Sequence, residues 1–187
     1  MIIGVSGKKR SGKDTVFRVI RKIAGIYAER AAFGDQIKEE VAGITGMDLD
    51  HIEENKEHFR PILQWWGADF RRRYNGESYW LDKMRNKLKR YRSGGGVLVI
   101  TDVRFPNEAD LVKAVGGIML RVDRDTGLND VHSSENELDS FRGFDYRLSN
   151  NGTLDDLEAQ VEPIVAEHCC IAPAFRAASS TAAVAGA

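Results

Sequence analysis

Ile2-Ile3-Gly4-Val5 is a short apolar run rich in β-formers, and it reads as a buried parallel strand. Residues 7–12 form a glycine-bounded loop. From Lys13, apolar residues recur at Val16, Val19, Ile20 and Ile23, which predicts a helix that stops at Gly25. Ala31-Ala32-Phe33 reads as a second short strand, followed by a helix from about Gln36 to Thr45. The polar stretch from Asp48 to His58 predicts a short exposed helix. Pro61 suits the first turn of the next helix, which carries Ile62, Leu63, Trp65, Trp66 and Phe70. A basic helix covers roughly Tyr79 to Arg92, and Ser93-Gly94-Gly95-Gly96 breaks it.

Val97-Leu98-Val99-Ile100 is the strongest strand signal in the chain. Phe105-Pro106-Asn107-Glu108 opens a helix that runs through Leu111, Val112 and Val115 to Gly116-Gly117. Ile118 to Val122 and Tyr146 to Leu148 read as further strands, and Leu154 to Glu167 as a final helix. Strands alternating with helices predict an α/β protein with a parallel sheet covered on both faces.

The chain has 187 residues, the size of one domain, and 42% apolar residues, enough for a real core. A net charge of −1 excludes a uniformly basic nucleic-acid coat. No apolar run approaches the ~18 residues that span a bilayer, and the N-terminus lacks a signal-peptide pattern. The two cysteines, Cys169 and Cys170, are adjacent and have neither disulfide nor metal spacing, so a reducing cytoplasm is the expected setting. Residues 171–187 hold eight alanines and read as a disordered tail after a single domain of residues 1–170.

The neutral total hides an uneven distribution. Residues 8–22 carry a local +6 and residues 56–92 a local +7, whereas residues 125–162 carry −8. Phosphorylated ligands would meet on the positive side.

Gly7-Lys8-Lys9-Arg10-Ser11-Gly12-Lys13-Asp14-Thr15 fits G-x-x-x-x-G-K between a buried strand and an amphipathic helix. Such a loop turns successive N–H groups toward phosphate oxygens, helped by the helix N-terminus. Lys13 reaches the β- and γ-phosphates as a point charge. Asp14 stands where Ser or Thr is usual, and its carboxylate is a candidate Mg²⁺ ligand, directly or through water. Asp102 ends the strongest strand, where ligands bind in doubly wound sheets, and can hold Mg²⁺ or its waters. The other reading of Asp102 is an N-cap for the helix near Pro106. Arg104 reads as a phosphate contact or as a surface partner of Glu108. In the basic segment, Trp65, Trp66, Phe70, Tyr74, Tyr79 and Trp80 interleave with arginines. That pattern suits a nucleic-acid surface, a mononucleotide pocket or a packed helix pair. The lysines from Lys83 to Lys89 read as a solvated face.

Together, the Gly7–Thr15 loop, Arg60-Pro61-Ile62-Leu63-Gln64, Thr101-Asp102-Val103-Arg104-Phe105-Pro106-Asn107-Glu108 and His132-Ser133-Ser134-Glu135 resemble the bacteriophage deoxynucleoside monophosphate kinases, members of the P-loop kinase superfamily. The match runs from Met1 to about residue 168. The resemblance implies a three-layer α/β/α P-loop kinase fold with about five parallel strands. It also implies a helical monophosphate-binding insertion (about 34–92) and a small lid (about 123–135). The implied reaction moves the ATP γ-phosphate to a deoxynucleoside 5′-monophosphate, with Mg²⁺. Gly7, Lys8, Arg10, Ser11, Gly12, Lys13, Asp14 and Thr15 would bind ATP, with Asn150 near the adenine. Phe33, Asp35, Lys38, Arg60, Gln64, Trp65, Asp69, Arg72, Trp80, Arg104 and Glu108 would serve the acceptor. Lys13, Asp102 and Arg124 (or Arg121) would act on the transferring phosphoryl, and Asp14 and Asp102 on the metal. His132 reads as part of a helix start or as a lid contact to the nucleotide. The expected partner is a small molecule, with no nucleic acid and no membrane. A homodimer is left open, and a phage-encoded chain would work in the host cytoplasm. A kinase of phosphomevalonate or dephospho-coenzyme A, and a nucleotide-dependent nucleic-acid-binding module, are the competing readings.

Overall fold

The computed structural model describes residues 1–91, 96–125, 127 and 137–168. Most of the expected lid, His132 and the alanine-rich tail lie outside the described residues. Five strands form one parallel sheet: β1 (Ile2–Ser6), β2 (Ala28–Ala31), β3 (Val97–Ile100), β4 (Ile118–Asp123) and β5 (Tyr146–Ser149), in the order β2-β3-β1-β4-β5. The α/β class, three layers and parallel sheet expected from the sequence are all present.

Successive strand residues face opposite layers. Ile3, Val5, Val97 and Val99 pack under α1 (Lys13–Ala24) and α8 (Leu154–His168). Ile2, Leu98, Ile100 and Met119 face the layer containing α2 (Phe33–Thr45) and α7 (Pro106–Ala114). Gly4 belongs to that second face, where a Cβ would meet Met119 Sδ at 2.4 Å, so only glycine lets the Met119 side chain cross β1.

Between β2 and β3 the chain makes the helical insertion: α2, α3 (Leu49–Glu54), α4 (Lys56–Gln64), a π-helical turn (Trp65–Arg71), α5 (Arg72–Asn75) and α6 (Tyr79–Tyr91). Several boundaries differ from expectation, and the single helix expected over Asp48 to His58 is divided between α3 and α4 at Asn55. The second strand ends at Ala31, because the N–H groups of Phe33 and Gly34 are captured by Asp102 and the chain enters α2 there. The helix expected to begin at Pro61 begins at Lys56. The carbonyl of Asn55 already accepts from the N–H groups of His58 and Phe59, and Pro61 sits inside the helix.

Glu40 on α2 binds the insertion together. Its carboxylate accepts from Trp66 Nε1 (2.9 Å), Arg71 Nε (2.7 Å), Tyr79 Oη (2.5 Å) and Lys83 Nζ (2.6 Å). Lys83, expected on a solvated face, is therefore an anchor. Burial raises the Glu40 pKa, but the four donors outweigh it and hold the group at about 2. A carboxyl depressed in the folded state stabilises the fold above its unfolded pKa near 4.5, and that contribution is lost as pH falls toward 2. The contribution is on the order of 2–3 kcal/mol. Glu40→Gln is expected to lower stability at pH 7 by about that amount. It should also flatten the loss of thermal stability between pH 5 and 2, as read from Tm against pH; an acid limb as steep as that of the native chain would contradict the role given to Glu40.

Candidate active site

The loop from Gly7 to Gly12 leaves the C-terminal end of β1 and enters α1 at its positive end. Gly12 has φ +101°, and a Cβ there would lie 2.2 Å from Asn150 Nδ2, so this position requires glycine on two counts. Asn150 lies on the turn after β5 and donates to Ser11 O at 2.7 Å. Its backbone N–H is held by Asp123 O at 2.8 Å. Asn150 thus clamps the loop from the far edge of the sheet. Lys13 Nζ donates inward to Gly7 O (2.6 Å) and Lys8 O (2.8 Å), and Ser11 N–H to Lys8 O (3.1 Å). The Ser11 hydroxyl is buried with no hydrogen-bond partner among the described residues. A buried hydroxyl left over inside a ring of backbone amides fits a phosphate ligand.

Lys13, Arg10 and Asp14 of the loop line one cleft with the insertion and the end of β3. Of the expected acceptor residues, Phe33, Asp35, Lys38, Arg60, Gln64, Arg72, Trp80, Arg104 and Glu108 all line it. Nine cationic side chains and four carboxylates face the cleft, so its wall is positive although the chain is not.

Trp65 and Asp69 are exposed and do not line the cleft; each directly follows a cleft-lining residue, Gln64 and Ala68, and projects from a different face. Trp65 instead stacks in a ladder with Phe70 and Tyr74. Arg124 is exposed and also absent from the cleft wall. Its alternative, Arg121, is buried and bound to Asp139 (2.7 Å), Asp123 (3.3 Å) and Ser6 Oγ (3.4 Å). Thr15 Oγ1 accepts from Arg18 (3.0 Å), and Lys8 pairs with Asp139 (3.4 Å).

Asp102 lines the cleft, but its two oxygens accept from Phe33 N–H (2.8 Å) and Gly34 N–H (2.7 Å). The helix it caps is α2, not the one at Pro106. The latter is capped by Glu108, whose Oε2 accepts from Arg104 N–H (2.8 Å) and Phe105 N–H (3.2 Å). The other oxygen of Glu108 takes Arg72 at 2.5 Å, with both side chains buried. Burial pushes the Glu108 carboxyl up to about 7 against the pull of Arg72 and the two N–H groups.

Three charged side chains beside the cleft, Arg30, Glu57 and Lys9, carry no periodic sequence signal. Arg30 on β2 pairs with Asp35 (3.1 Å); burial opposes its charge, but Asp35, with Asp102 and Asp14 nearby, raises its pKa. Glu57 on α4 accepts from Arg60 (2.8 Å) and from Lys9 of the loop (3.1 Å), and those two cations hold it at about 2. Lys9, Glu57 and Arg60 bridge the loop and the insertion at the mouth of the cleft. Only the local surplus of positive charge hinted at this.

The model of the deoxynucleotide monophosphate kinase family matches residues 44–161. A protein of Acanthamoeba polyphaga mimivirus, named "Putative deoxynucleotide monophosphate kinase", is 28% identical over 185 residues, covering 86% of this chain and 94% of its own. Among solved structures, a sugar kinase from Janibacter sp. HTCC2649 superposes with a TM-score of 0.50 at 16% identity, covering 93% of this chain and 96% of that one. Shikimate kinase from Aquifex aeolicus gives 0.49 at 14% identity, covering 89% and 97%. The likeness to the sugar kinase concerns the fold alone. With the loop, the insertion and the cleft in place, the chain belongs to the deoxynucleotide monophosphate kinase family and is a nucleotide kinase.

Proposed function

We propose that the protein transfers the ATP γ-phosphate to a deoxynucleoside 5′-monophosphate, giving ADP and a deoxynucleoside diphosphate. One observation carries this reading: the phosphate loop and a second set of cations, Arg60, Arg72 and Arg104, line the same cleft. A kinase with a phosphorylated acceptor needs two phosphate sites in contact, each supplied with positive charge.

The acceptor phosphate is already a nucleophile near neutral pH, so no strong general base is needed. The protein positions the two substrates and neutralises the charge that spreads over the phosphoryl oxygens. Lys13 exchanges its two loop carbonyls for β- and γ-phosphate oxygens. The Ser11 hydroxyl and the loop amides hold the rest of the triphosphate. Arg60, Gln64, Arg72 and Arg104 take the monophosphate, with Phe33 and Trp80 forming the apolar part of the wall.

Asp14, on the cleft wall, would hold Mg²⁺, and Asp102 would reach its waters through the lone pairs left after capping α2. The metal, when bound, supplies charge neutralisation between the phosphates. Among the described residues no three His, Cys, Asp or Glu side chains gather into a metal cluster, which fits an ion held chiefly by phosphate oxygens. No helix among the described residues is long and apolar enough to cross a membrane.

The test is a coupled ADP-release assay over deoxy- and ribonucleoside monophosphates, with phosphomevalonate and dephospho-coenzyme A as controls. ADP release that depends on a deoxynucleoside monophosphate is expected; release driven better by either control would refute the reading. Lys13→Ala should lower kcat by at least about 100-fold. Arg60→Ala should raise the monophosphate KM about tenfold with little change in the KM for ATP. Asn150→Ala should do the reverse, raising the KM for ATP about fivefold through loss of one loop hydrogen bond.

A further inference from the structure

The insertion presents three consecutive arginines, of which Arg73 is exposed, and the structure separates the roles of Arg71 and Arg72 by helical register. Arg60 and Gln64, one α turn apart on α4, line the cleft, as do Gly67 and Ala68 within the π turn that follows. Eleven residues make about three α turns, so an uninterrupted α-helix would return Arg71 to the Arg60 face and turn Arg72 about 100° away. The opposite is found. Arg72 lines the cleft, whereas Arg71 reaches away to Glu40 and lies over the rings of Trp66 (4.7 Å) and Tyr79 (5.0 Å). The cause is the π turn from Trp65 to Arg71, whose i→i+5 pattern takes up about one more residue than an α turn. That single residue moves the cleft position from 71 to 72. The turn is fixed from outside by Trp80, whose indole N–H donates to Gly67 O at 2.8 Å in the interior.

Once in the cleft, Arg72 is oriented by three groups. Glu108 takes one nitrogen, Glu77 lies 3.4 Å from another, and the Phe105 ring lies 3.8 Å below the guanidinium. A buried ion pair adds little net stability over two well-packed apolar side chains. Arg72 and Glu108 gain most from being buried if the guanidinium must present a fixed edge to an anion.

We propose that the π turn selects Arg72, and not Arg71, as the arginine that meets the acceptor phosphate, and that Glu108 is the positioning residue for it. The inference rests on the kinase reading above and deepens its acceptor side.

The experiment compares four variants in the ADP-release assay. Calorimetric titration of the monophosphate and Tm are measured beside it. Arg72→Lys keeps the charge but loses the planar fork. It should raise the acceptor KM about tenfold, with the KM for ATP within twofold of the native value. Glu108→Gln should raise the acceptor KM in the same selective way. Arg71→Lys should lower Tm yet leave both KM values within twofold. Deleting Asp69, exposed on the outer side, removes the extra residue while keeping Arg60 and Arg72 in phase. That variant should fold and bind the acceptor. An unchanged acceptor KM in Arg72→Lys, a larger shift in Arg71→Lys, an equal effect of Glu108→Gln on both substrates, or loss of folding or acceptor binding on deletion of Asp69 would each overturn the inference. If the native chain releases no ADP with any monophosphate, the kinase reading itself falls and takes this inference with it; native turnover with an insensitive Arg72→Lys strikes the inference alone.

Discussion

The half of the cleft built by the helical insertion depends on the grip of Asp102 on the first two N–H groups of α2. A carboxylate at a helix N-terminus satisfies orphan donors and meets the positive end of the helix dipole. Here the carboxylate belongs to the end of β3, in the middle of the sheet, so it also fixes where α2 starts relative to the phosphate loop. From α2, Glu40 reaches Trp66, Arg71, Tyr79 and Lys83, and so sets the place of the π turn and α6. Arg60, Gln64 and Arg72 inherit their positions through that sequence of contacts. A rigid sheet end is extended, one polar contact at a time, into a second wall of the cleft.

A second constraint is charge. The cleft collects many cations, and most are already held by carboxylates: Arg30 by Asp35, Lys38 by Asp35 and Glu53, Arg60 and Lys9 by Glu57, and Arg72 by Glu108. The exposed pairs contribute little to stability, about 0–1 kcal/mol each. Their effect is on recognition. Each cation keeps its place in the empty protein, and an incoming phosphate must offer more than the carboxylate already gives.

The sequence makes the sheet and the loop legible because both rest on local pattern. Alternating apolar strands, the glycine-bounded loop and the apolar run into Asp102 are contiguous signals, and they found β1, α1, β3, α7 and β4 nearly to the residue. The insertion was legible only as a basic, aromatic, helical region. A π turn changes register by one residue without altering composition, so the pattern does not show that Arg72 rather than Arg71 lines the cleft, and aromatic or acidic character alone does not place Trp65 and Asp69. Glu40 meets partners 26 to 43 residues away, and a lone acid in a helix announces none of them. The bridge from Glu57 to Lys9, 48 residues apart, is hidden for the same reason. Asp102 was recognised as a site residue, but the helix it caps begins 69 residues earlier in the chain.

The clamp from Asn150 to the carbonyl of Ser11 joins residues 139 positions apart. During synthesis the phosphate loop emerges among the first segments, yet the contact that holds it is made by one of the last. A nascent chain that stops short of β5 therefore carries the loop's sequence without its lock, and α1 has only part of the layer it shares with α8. Closing so long a loop of chain is a late and slow event. The lock on the loop is thereby tied to completion of the sheet.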